Sequence, residues 1–349
     1  MLRKLTKKFD KLSNTSEGYA MIDTVILGDS IEKIKTLPDC FAHAIISDIP
    51  YGICYGEWDV LHNNTNTALG GASLAQKDAG SLFKRRGKPL NGWSNADKNI
   101  SKEYQEWCAS WASDWHRVLK SGGSCLIFAG RRYAHRCISA LEDAGFTFKD
   151  MLAWEKSTAP HRAQRISEVY KRRGNNKAAK EWDGWRVANL RPLFEPILWF
   201  QKPYKTGGTL ADNLLEFDVG AWNERALLDY NHALNISDGT TQSNIIRISA
   251  SKDDRGLHET QKPLKLMEFL ISLVTKPGAL ILDPFAGSGT TCVAAKRLGR
   301  RYIGMEIDEN YVKIAENRLS ECNNTVGTKH NHVGAYTIIS LFDLQEAGG

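Results

Sequence analysis

Residues 279–291 constrain the fold of this chain more than any other segment. They read ALILDPFAGSGTT: an apolar strand, an acid at its carboxyl end, a glycine-rich turn and the start of a helix. Gly287 and Gly289 let the backbone approach a ligand closely, and the first turn of the helix offers unpaired N–H groups. Phosphate and dinucleotide binders use such turns too, so the turn alone does not identify the ligand.

Strands and helices alternate along much of the chain. The predicted strands are Thr24–Leu27, Ala42–Asp48, 124–129, 146–154, 196–201, 279–283 and Arg301–Glu306. The predicted helices are 101–119, 133–144, 263–274, 290–298 and 310–319, the first of them ended by residues 121–123. This alternation predicts an α/β fold whose mostly parallel sheet is covered by helices on both faces. Trp107, Trp111 and Trp115 recur every four residues and predict an apolar stripe that packs on the sheet.

Composition limits the class of protein. The 349 residues are 42% hydrophobic and 25% charged, which fits one globular catalytic core with insertions. No apolar run approaches the roughly 20 residues that span a bilayer. The basic N-terminal extension, residues 1–22, lacks the apolar region of a secretory signal. Seven scattered cysteines without a C-x-x-C pair argue against a zinc site, and they predict reduced thiols in a cytoplasm and no bound metal.

A basic segment interrupts the regular pattern after residue 155. Residues 156–191 contain ten Lys and Arg against three acids, in a chain of net charge +6. A solvated face usually mixes the two signs, so this segment is predicted to contact nucleic acid. The candidates, chosen by charge and clustering, are Arg162, Arg165, Arg172 and Arg173. A second basic patch, residues 82–93 within a predicted insertion at about 61–99, could close over DNA or serve as a solubilising loop.

Two carboxylates favour one ligand class for the glycine-rich turn. Asp283, at the strand tip, suits a cationic group and would repel a phosphate. Glu306 ends the next strand, where an acid can accept hydrogen bonds from a ribose diol. Together they favour S-adenosylmethionine, whose methionyl part carries an ammonium group.

Four short motifs resemble motifs of one protein family. Residues 283–291, DPFAGSGTT, look like the cofactor-binding motif of the amino-methylating DNA methyltransferases, and residues 48–51, DIPY, are similar to their catalytic tetrapeptide, usually Asp-Pro-Pro-Tyr. Residues 260–263, TQKP, and 27–30, LGDS, resemble two further motifs of the group. The motif order, catalytic first and cofactor-binding last, resembles the circularly permuted β group.

The resemblance implies a Rossmann-like S-adenosylmethionine-dependent methyltransferase fold with an inserted target-recognition region. The catalytic part of the core would be residues 23–155, the target-recognition region 156–254, the cofactor-binding part 255–320 and the tail 321–349. It implies that Asp29 contacts the adenine ring of the cofactor and that Gln261 and Lys262 lie near its methionyl end. The implied cofactor-binding residues are Asp29, Gln261, Lys262, Asp283, Pro284, Phe285, Gly287, Ser288, Gly289, Thr290 and Glu306.

The tetrapeptide Asp48, Ile49, Pro50 and Tyr51 is the predicted catalytic site. An exocyclic amine is a poor nucleophile because its lone pair is delocalised into the base. Acceptors aimed at its two hydrogens favour a tetrahedral nitrogen, and the Asp48 carboxylate and the Ile49 carbonyl can supply them. Tyr51 can stack on a base swung out of the duplex. Ile49 departs from the usual proline, which restores an N–H, frees φ and predicts a less rigid turn.

Asp48 favours adenine N6 over cytosine N4, because serine is commoner at the first position of N4-cytosine enzymes. N4-cytosine methylation remains the nearest alternative, followed by an inactive DNA-binding module and by methylation of RNA or a protein amide. Methylation of cytosine C5 needs a nucleophilic cysteine, usually after proline, and no Pro-Cys occurs. The expected partners are double-stranded DNA, a second copy of the chain and a cognate restriction endonuclease, with no membrane.

The predicted methyl transfer requires one geometric condition. The turn after Ala42–Asp48 and the turn after residues 279–283 must lie together at one edge of a single sheet.

Overall fold

The computed structural model describes residues 20–52, 59, 61, 95–156, 164–187, 190–233, 243–249 and 261–324. The strands in these ranges are β1 (Thr24–Leu27), β2 (Ala42–Asp48), β3 (Leu119–Phe128), β4 (Thr147–Glu155), β5 (Gln164–Arg165), β6 (Arg186–Val187), β7 (Phe194–Gln201), β8 (Ile245–Ile246), β9 (Leu280–Asp283) and β10 (Arg301–Glu306). The helices are α1 (Ser30–Lys33), α2 (Asn95–Val118), α3 (Ala134–Asp143), α4 (Ile166–Arg172), α5 (Asn176–Glu181), α6 (Leu210–Phe217), α7 (Glu224–Ala233), α8 (Leu264–Val274), α9 (Thr290–Arg297) and α10 (Glu309–Asn324).

Eight strands form one sheet in the order β1-β10-β9-β2-β3-β7-β4-β8. The first five in that order are parallel to one another, and β7 runs antiparallel to both β3 and β4. Strands β5 and β6 form a separate two-stranded ribbon. The mostly parallel α/β sheet is confirmed, and the predicted strand 196–201 belongs to it as part of β7.

Helices cover both faces of this sheet, as predicted. Alternate residues of β2 belong to different hydrophobic clusters: Ala44 and Ile46 to the cluster that includes α8 and α9, and Ile45 to the one that includes α2 and α3. The predicted tryptophan stripe is confirmed as well, since Trp111 and Trp115 of α2 are each 1% exposed and belong to that second cluster.

The predicted end of the long helix was wrong. Helix α2 ends at Val118, and β3 has already begun at Leu119, so residues 121–123 lie in the strand. The Gly122 N–H donates to the Lys202 carbonyl at 2.9 Å, and the Lys202 N–H donates to the Gly123 carbonyl at 3.0 Å. The two glycines therefore extend the pairing with β7. The start was wrong too, because residues 95–99, predicted to be insertion, belong to α2.

The region from 155 to 254 is more regular than its sequence suggested. The sequence shows no clear amphipathic series there, yet the described part contains α4, α5, α6 and α7. These helices are short, so a helical period has little length in which to show. The start of α6 does have a recognisable sequence signal, because Thr209 and Asp212 form a capping box there.

None of the helices within the described ranges is long and apolar enough to cross a membrane. The six cysteines in this part of the chain are free thiols.

His43, at the edge of the sheet opposite the predicted site, gives a pH-dependence prediction. Its Nδ1 accepts a hydrogen bond from the Leu280 N–H at 3.0 Å, and its Nε2 lies 2.7 Å from the Lys120 ammonium. Burial, then the Lys120 charge, lowers the pKa of His43 from 6.5 to about 4. The unfolded chain therefore binds a proton at a higher pH than the folded one. The stability from neutral His43 is complete above pH 6.5 and is lost as pH falls toward 4.

Between pH 6.5 and 4.5, we expect the unfolding free energy of His43→Asn to fall less than that of the wild type. The difference is at most about 2 kcal/mol, because His43 is partly exposed and solvent screens its charge. Asparagine keeps an acceptor for Leu280. Urea unfolding of both proteins across this pH range measures the difference, and His135→Asn on the exposed face of α3 is the control. Parallel curves for wild type and His43→Asn would contradict this prediction.

Candidate active site

Two turns meet at one edge of the sheet. Strands β2 and β9 are parallel neighbours, with Ala44 paired to Ile281, so their carboxyl ends lie side by side. The Ser47 hydroxyl in β2 donates to the Asp283 carboxylate at the end of β9, at 2.6 Å. The geometric condition set by the sequence is therefore met.

The two oxygens of the Asp48 carboxylate differ in their surroundings. Oδ2 accepts a hydrogen bond from the Lys262 ammonium at 2.5 Å. Oδ1 is buried and meets no donor in full hydrogen-bond geometry among the described residues, although the nearby Tyr51 hydroxyl helps to lower the pKa of the carboxyl group. Burial raises the pKa of Asp48, and the Lys262 charge opposes that shift. A buried acceptor without a donor costs about 1–3 kcal/mol, so Oδ1 is suited to receive a donor from a ligand.

The turn after Asp48 is anchored at several points. The Ile49 side chain is 2% exposed and packs in the hydrophobic core. The Tyr104 hydroxyl donates to the Pro50 carbonyl at 3.1 Å, and the Gly52 N–H donates to the Asp59 carboxylate at 2.6 Å. These contacts oppose the loosening that we expected from isoleucine in place of proline.

Tyr51 lies against the same carboxylate. Its ring centre is 5.4 Å from the Lys262 ammonium. Burial raises the pKa of Tyr51, and the negative charges of Asp48 and Glu195 raise it further. The phenol therefore stays neutral. Its stacking on a base remains a prediction.

The glycine-rich turn closes tightly on its neighbours. The Gly287 N–H donates to the Glu306 carboxylate at 2.8 Å. Gly287 and Gly289 take positive φ values of 51° and 77°, which favour glycine. A Cβ added at Gly289 would lie 2.6 Å from the Ala315 Cβ. Pro284, Ser288, Gly289 and Thr290 are buried, whereas Phe285 is half-buried against the tryptophans of α2.

Arg318 of α10 clamps this turn, and sequence reasoning missed it. Its guanidinium donates to the Ser288 carbonyl at 2.5 Å and to the Thr290 hydroxyl at 3.0 Å. A lone arginine on a helix face gives no local signal, because only the packing of α10 brings it to the turn.

The Asp283 carboxylate already accepts hydrogen bonds from within the protein, which we did not expect. It is 3% exposed, and its Oδ1 accepts from the Ser47 hydroxyl and from the Phe285 N–H at 3.2 Å. Burial raises its pKa to about 6, against the lowering effect of these hydrogen bonds. A contact with a ligand ammonium remains a prediction.

Glu306 ends β10, and Asp29 follows the neighbouring parallel strand β1, so both lie at the same edge of the sheet. Glu306 accepts from the Asp308 N–H at 2.9 Å as well as from Gly287, and burial raises its pKa. Asp29 caps α1 by accepting from the Ile31 N–H at 2.9 Å. The predicted contacts of these two acids with a ribose and an adenine ring remain predictions.

Gln261 and Lys262 differ in what they contact. Both polar atoms of the Gln261 amide are buried without a hydrogen-bond partner in the described part of the chain. Lys262 was expected near the methionyl end of the cofactor, and the structure places its ammonium on Asp48. Thr260, the first residue of that motif, lies outside the described residues.

Glu195 was missed by the sequence reasoning. It is the second residue of β7, and its carboxylate lies 2.9 Å from the Lys156 ammonium. The sequence feature that could have identified Glu195 is an acid at the start of an otherwise apolar strand, residues 194–201.

The predicted DNA-contacting arginines form an exposed group where the structure describes them. Arg165 pairs with Arg186 across the β5-β6 ribbon, Arg172 is the last residue of α4, and Arg173 is its C-cap. Nearby, Trp185 is 62% exposed. Arg162 and the second basic patch, 82–93, lie outside the described residues. Binding of DNA by these residues remains a prediction.

The edge thus combines a buried acceptor carboxylate, an aromatic ring and a glycine-rich turn. Such a set can orient an amine and hold a group donor beside it. Among the residues that the structure describes, no cluster of three or more His, Cys, Asp or Glu could hold a metal ion.

Comparison with known proteins agrees with this geometry. Residues 42–317 match the N6/N4 family model described as DNA methylase. The type II methyltransferase M.HindIII of Haemophilus influenzae is 61% identical over 300 residues, covering 86% of this chain and 96% of the relative. M.HinfI of the same species is 27% identical over 304 residues, covering 86% and 69%.

Two solved structures share the fold. The PvuII DNA methyltransferase, described as cytosine-N4-specific, superposes with a TM-score of 0.53 at 18% identity, covering 87% of this chain and 93% of that one. A Thermus thermophilus protein described as a putative DNA modification methylase, solved with S-adenosyl-L-methionine, gives 0.52 at 18% identity, covering 88% and 99%.

Proposed function

The chain belongs to the N6/N4 DNA methylase family, and on that premise we propose that it methylates the exocyclic N6 of adenine in double-stranded DNA. The methyl donor is S-adenosylmethionine. One observation carries the proposal: the buried, unpaired Oδ1 of Asp48 lies at the same sheet edge as the glycine-rich turn.

The residues around that turn fit the donor. The unpaired amide of Gln261 can bind polar groups of a ligand, which would satisfy two buried atoms. Glu306 and Asp29 offer carboxylates for the ribose and the adenine ring. Bound there, S-adenosylmethionine supplies a methyl group on a positively charged sulfur.

Asp48 and Ile49 act on the target amine. Oδ1 of Asp48 accepts one amine hydrogen and the Ile49 carbonyl accepts the other, which directs the nitrogen lone pair toward the methyl carbon. Tyr51 stacks on the flipped base and limits its motion. After transfer, one proton leaves the nitrogen for the Asp48 carboxylate and then for solvent.

The choice of adenine rests on the aspartate of the tetrapeptide. N4 of cytosine is the alternative, because the fold is shared with a cytosine-N4-specific enzyme and does not separate the two bases. An inactive DNA-binding module is less well supported, since the turn around Ile49 is anchored and Oδ1 is free for a donor.

The basic segment is proposed as the DNA-contacting region, with exposed Arg165, Arg172 and Arg173 on phosphates. Phosphate contacts of this kind predict DNA binding that weakens steeply as the salt concentration rises. We also propose that the enzyme acts in the cytoplasm as a homodimer and as the modification partner of a restriction endonuclease.

The identity of the methylated base tests the proposal. The protein is incubated with methyl-labelled S-adenosylmethionine and plasmid DNA of mixed sequence, and the product is digested to nucleosides. Label in N6-methyladenine is the expected result. Label in N4-methylcytosine would overturn the adenine assignment, and DNA without label across varied sequences would overturn enzymatic function.

A further inference from the structure

A turn with two arginines follows β3, at the edge that carries the tetrapeptide 48–51. Phe128 is the last residue of β3 and pairs with Asp48 in the parallel strand β2. The chain turns soon after, and Arg131 and Arg132 are the exposed residues of that turn. Parallel strands present their carboxyl ends on one side of a sheet, so the two arginines lie at the same edge as Asp48.

This turn packs directly against the tetrapeptide. A Cβ added at Gly130 would lie 2.8 Å from the Tyr51 Cβ, so any larger residue would move the turn away from Tyr51. Tyr133, which ends the turn, stacks on Tyr104 with ring centres 5.1 Å apart. The Tyr104 hydroxyl donates to the Pro50 carbonyl at 3.1 Å. The arginine-bearing turn and the tetrapeptide therefore form one connected unit.

The turn also has a fixed shape. The Gly130 carbonyl accepts a hydrogen bond from the Tyr133 N–H at 3.0 Å, which closes it. The guanidinium carbon of Arg131 lies 5.9 Å from the Phe194 ring centre, and that of Arg132 lies 5.7 Å from the Tyr133 ring centre. An aromatic ring holds a guanidinium near it without using the N–H donors, which remain available to an anion.

The two arginines differ from neighbouring cations in having no acidic partner. Three cations at this edge are each paired with a carboxylate: Lys262 with Asp48, Lys156 with Glu195 and Arg247 with Glu155. In the part of the chain that the structure describes, no carboxylate pairs with either guanidinium of the turn. The two positive charges are therefore not neutralised by any described residue.

Charge divides this edge into two halves. Acids follow the strands on one side of β2, where Asp283 ends β9, Glu306 ends β10 and Asp29 comes after β1. The arginine-bearing turn follows β3, on the other side of β2. The acidic half suits a cofactor with a positive sulfur and an ammonium group, and the unpaired arginines suit a polyanion. The tetrapeptide lies between the two halves.

We propose, building on the proposed function, that Arg131 and Arg132 bind the two backbone phosphates that flank the flipped nucleotide. A base that leaves the duplex stays attached to its sugar and phosphates, so these are drawn toward the rim of the pocket that receives the base. A guanidinium donates two parallel hydrogen bonds to a phosphate, which fixes its orientation as well as its position. The packing of the turn on Tyr51 then places the target strand in register with the methyl donor.

Arg131→Gln/Arg132→Gln tests this assignment, because it removes both charges from exposed side chains. The methylation site is first mapped on plasmid DNA that the wild type has modified, and a short duplex with that site carries a fluorophore. Anisotropy with S-adenosylhomocysteine present gives the dissociation constant from about 50 to 200 mM salt. We expect about 10- to 100-fold weaker binding and a slope of log affinity against log salt that is smaller by about 2. Affinity for S-adenosylhomocysteine stays within about twofold, because water screens these charges from the cofactor site.

Two further variants separate geometry from charge. Arg131→Lys/Arg132→Lys keeps both charges, so it should retain most of the salt dependence but lose affinity, since an ammonium lacks the planar fork. Lys276→Gln/Arg301→Gln removes two charges from exposed ion pairs at the opposite edge of the sheet. Its affinity for DNA should stay within about twofold of the wild type.

Uncharged phosphates test which part of the DNA is bound. In a second duplex, methylphosphonates replace the two phosphates that flank the target base. The wild type should bind this duplex more weakly by about the factor that the double glutamine variant loses, and that variant should lose little more. Independent losses that add would overturn the proposal, because the arginines would then bind other phosphates.

Two other results would also overturn it. One is a double glutamine variant whose affinity and salt slope match those of Lys276→Gln/Arg301→Gln. The other is weaker binding with an unchanged salt slope and a lower thermal stability, because that pattern indicates a distorted turn. A wild type that methylates no DNA overturns the proposed function itself, whereas any of these results with an active wild type overturns only the role of the two arginines.

Discussion

Asp48→Ala should lower the single-turnover rate of methyl transfer by at least about 10³-fold while leaving cofactor affinity within about threefold of wild type. The variant loses the acceptor that aligns the target amine and receives its proton. The glycine-rich turn, by contrast, is held by Glu306 and Arg318 and does not depend on Asp48. Single-turnover transfer to DNA and calorimetric titration with S-adenosylhomocysteine measure the two effects separately.

Removing Asp48 also leaves Lys262 without its closest partner, so lost stability could imitate lost catalysis. Asp48→Asn addresses this, because it keeps the volume and one acceptor oxygen and should retain more activity than alanine. Asp39→Ala, an aspartate whose side chain is 76% exposed, is the control and should behave as wild type. Wild-type activity in Asp48→Ala would contradict the assigned role.

Gly289→Ala should raise the dissociation constant for the cofactor by about 30-fold or more. An alanine there adopts a left-handed backbone at a cost of about 1–2 kcal/mol. Its Cβ also meets the Ala315 Cβ at 2.6 Å, closer than carbon atoms approach, so the turn or α10 must shift. Since tenfold in affinity corresponds to about 1.4 kcal/mol, a modest displacement of the turn is sufficient. Calorimetric titration checks the value.

The chain offers a matched control for this substitution. Gly278 has a φ of 81°, close to that of Gly289, but a Cβ there meets nothing within 4 Å. Gly278→Ala should therefore lower stability without changing cofactor affinity. Ala315→Gly in the Gly289→Ala background should recover part of the affinity. Equal cofactor affinity in the two single variants would show that the close packing of the turn on α10 is unimportant.

The sequence allowed prediction of the features that depend on local pattern. Apolar strands ending in Asp48 and Asp283 predicted a parallel sheet with both turns at one edge, because parallel strands all present their carboxyl ends on the same side. The glycine positions 287 and 289 followed from a backbone requirement that only glycine meets cheaply.

The features that the sequence did not reveal depend on contacts between distant residues. The Lys262–Asp48 ion pair joins positions 214 residues apart, and Glu195 reaches that edge only because β7 is antiparallel. Arg318 reaches the glycine turn only through the packing of α10. Residues 121–123 carry the composition of a helix end, yet pairing with Lys202 makes them part of a strand. In each case tertiary contacts override the local signal.

The most direct measurement is the structure of the protein with target DNA and S-adenosylhomocysteine. We predict a flipped adenine whose N6 lies about 3 Å from Oδ1 of Asp48 and faces the sulfur held by the glycine-rich turn. A target amine that lies out of hydrogen-bond range of Asp48, or a cofactor bound away from residues 283–290, would contradict it.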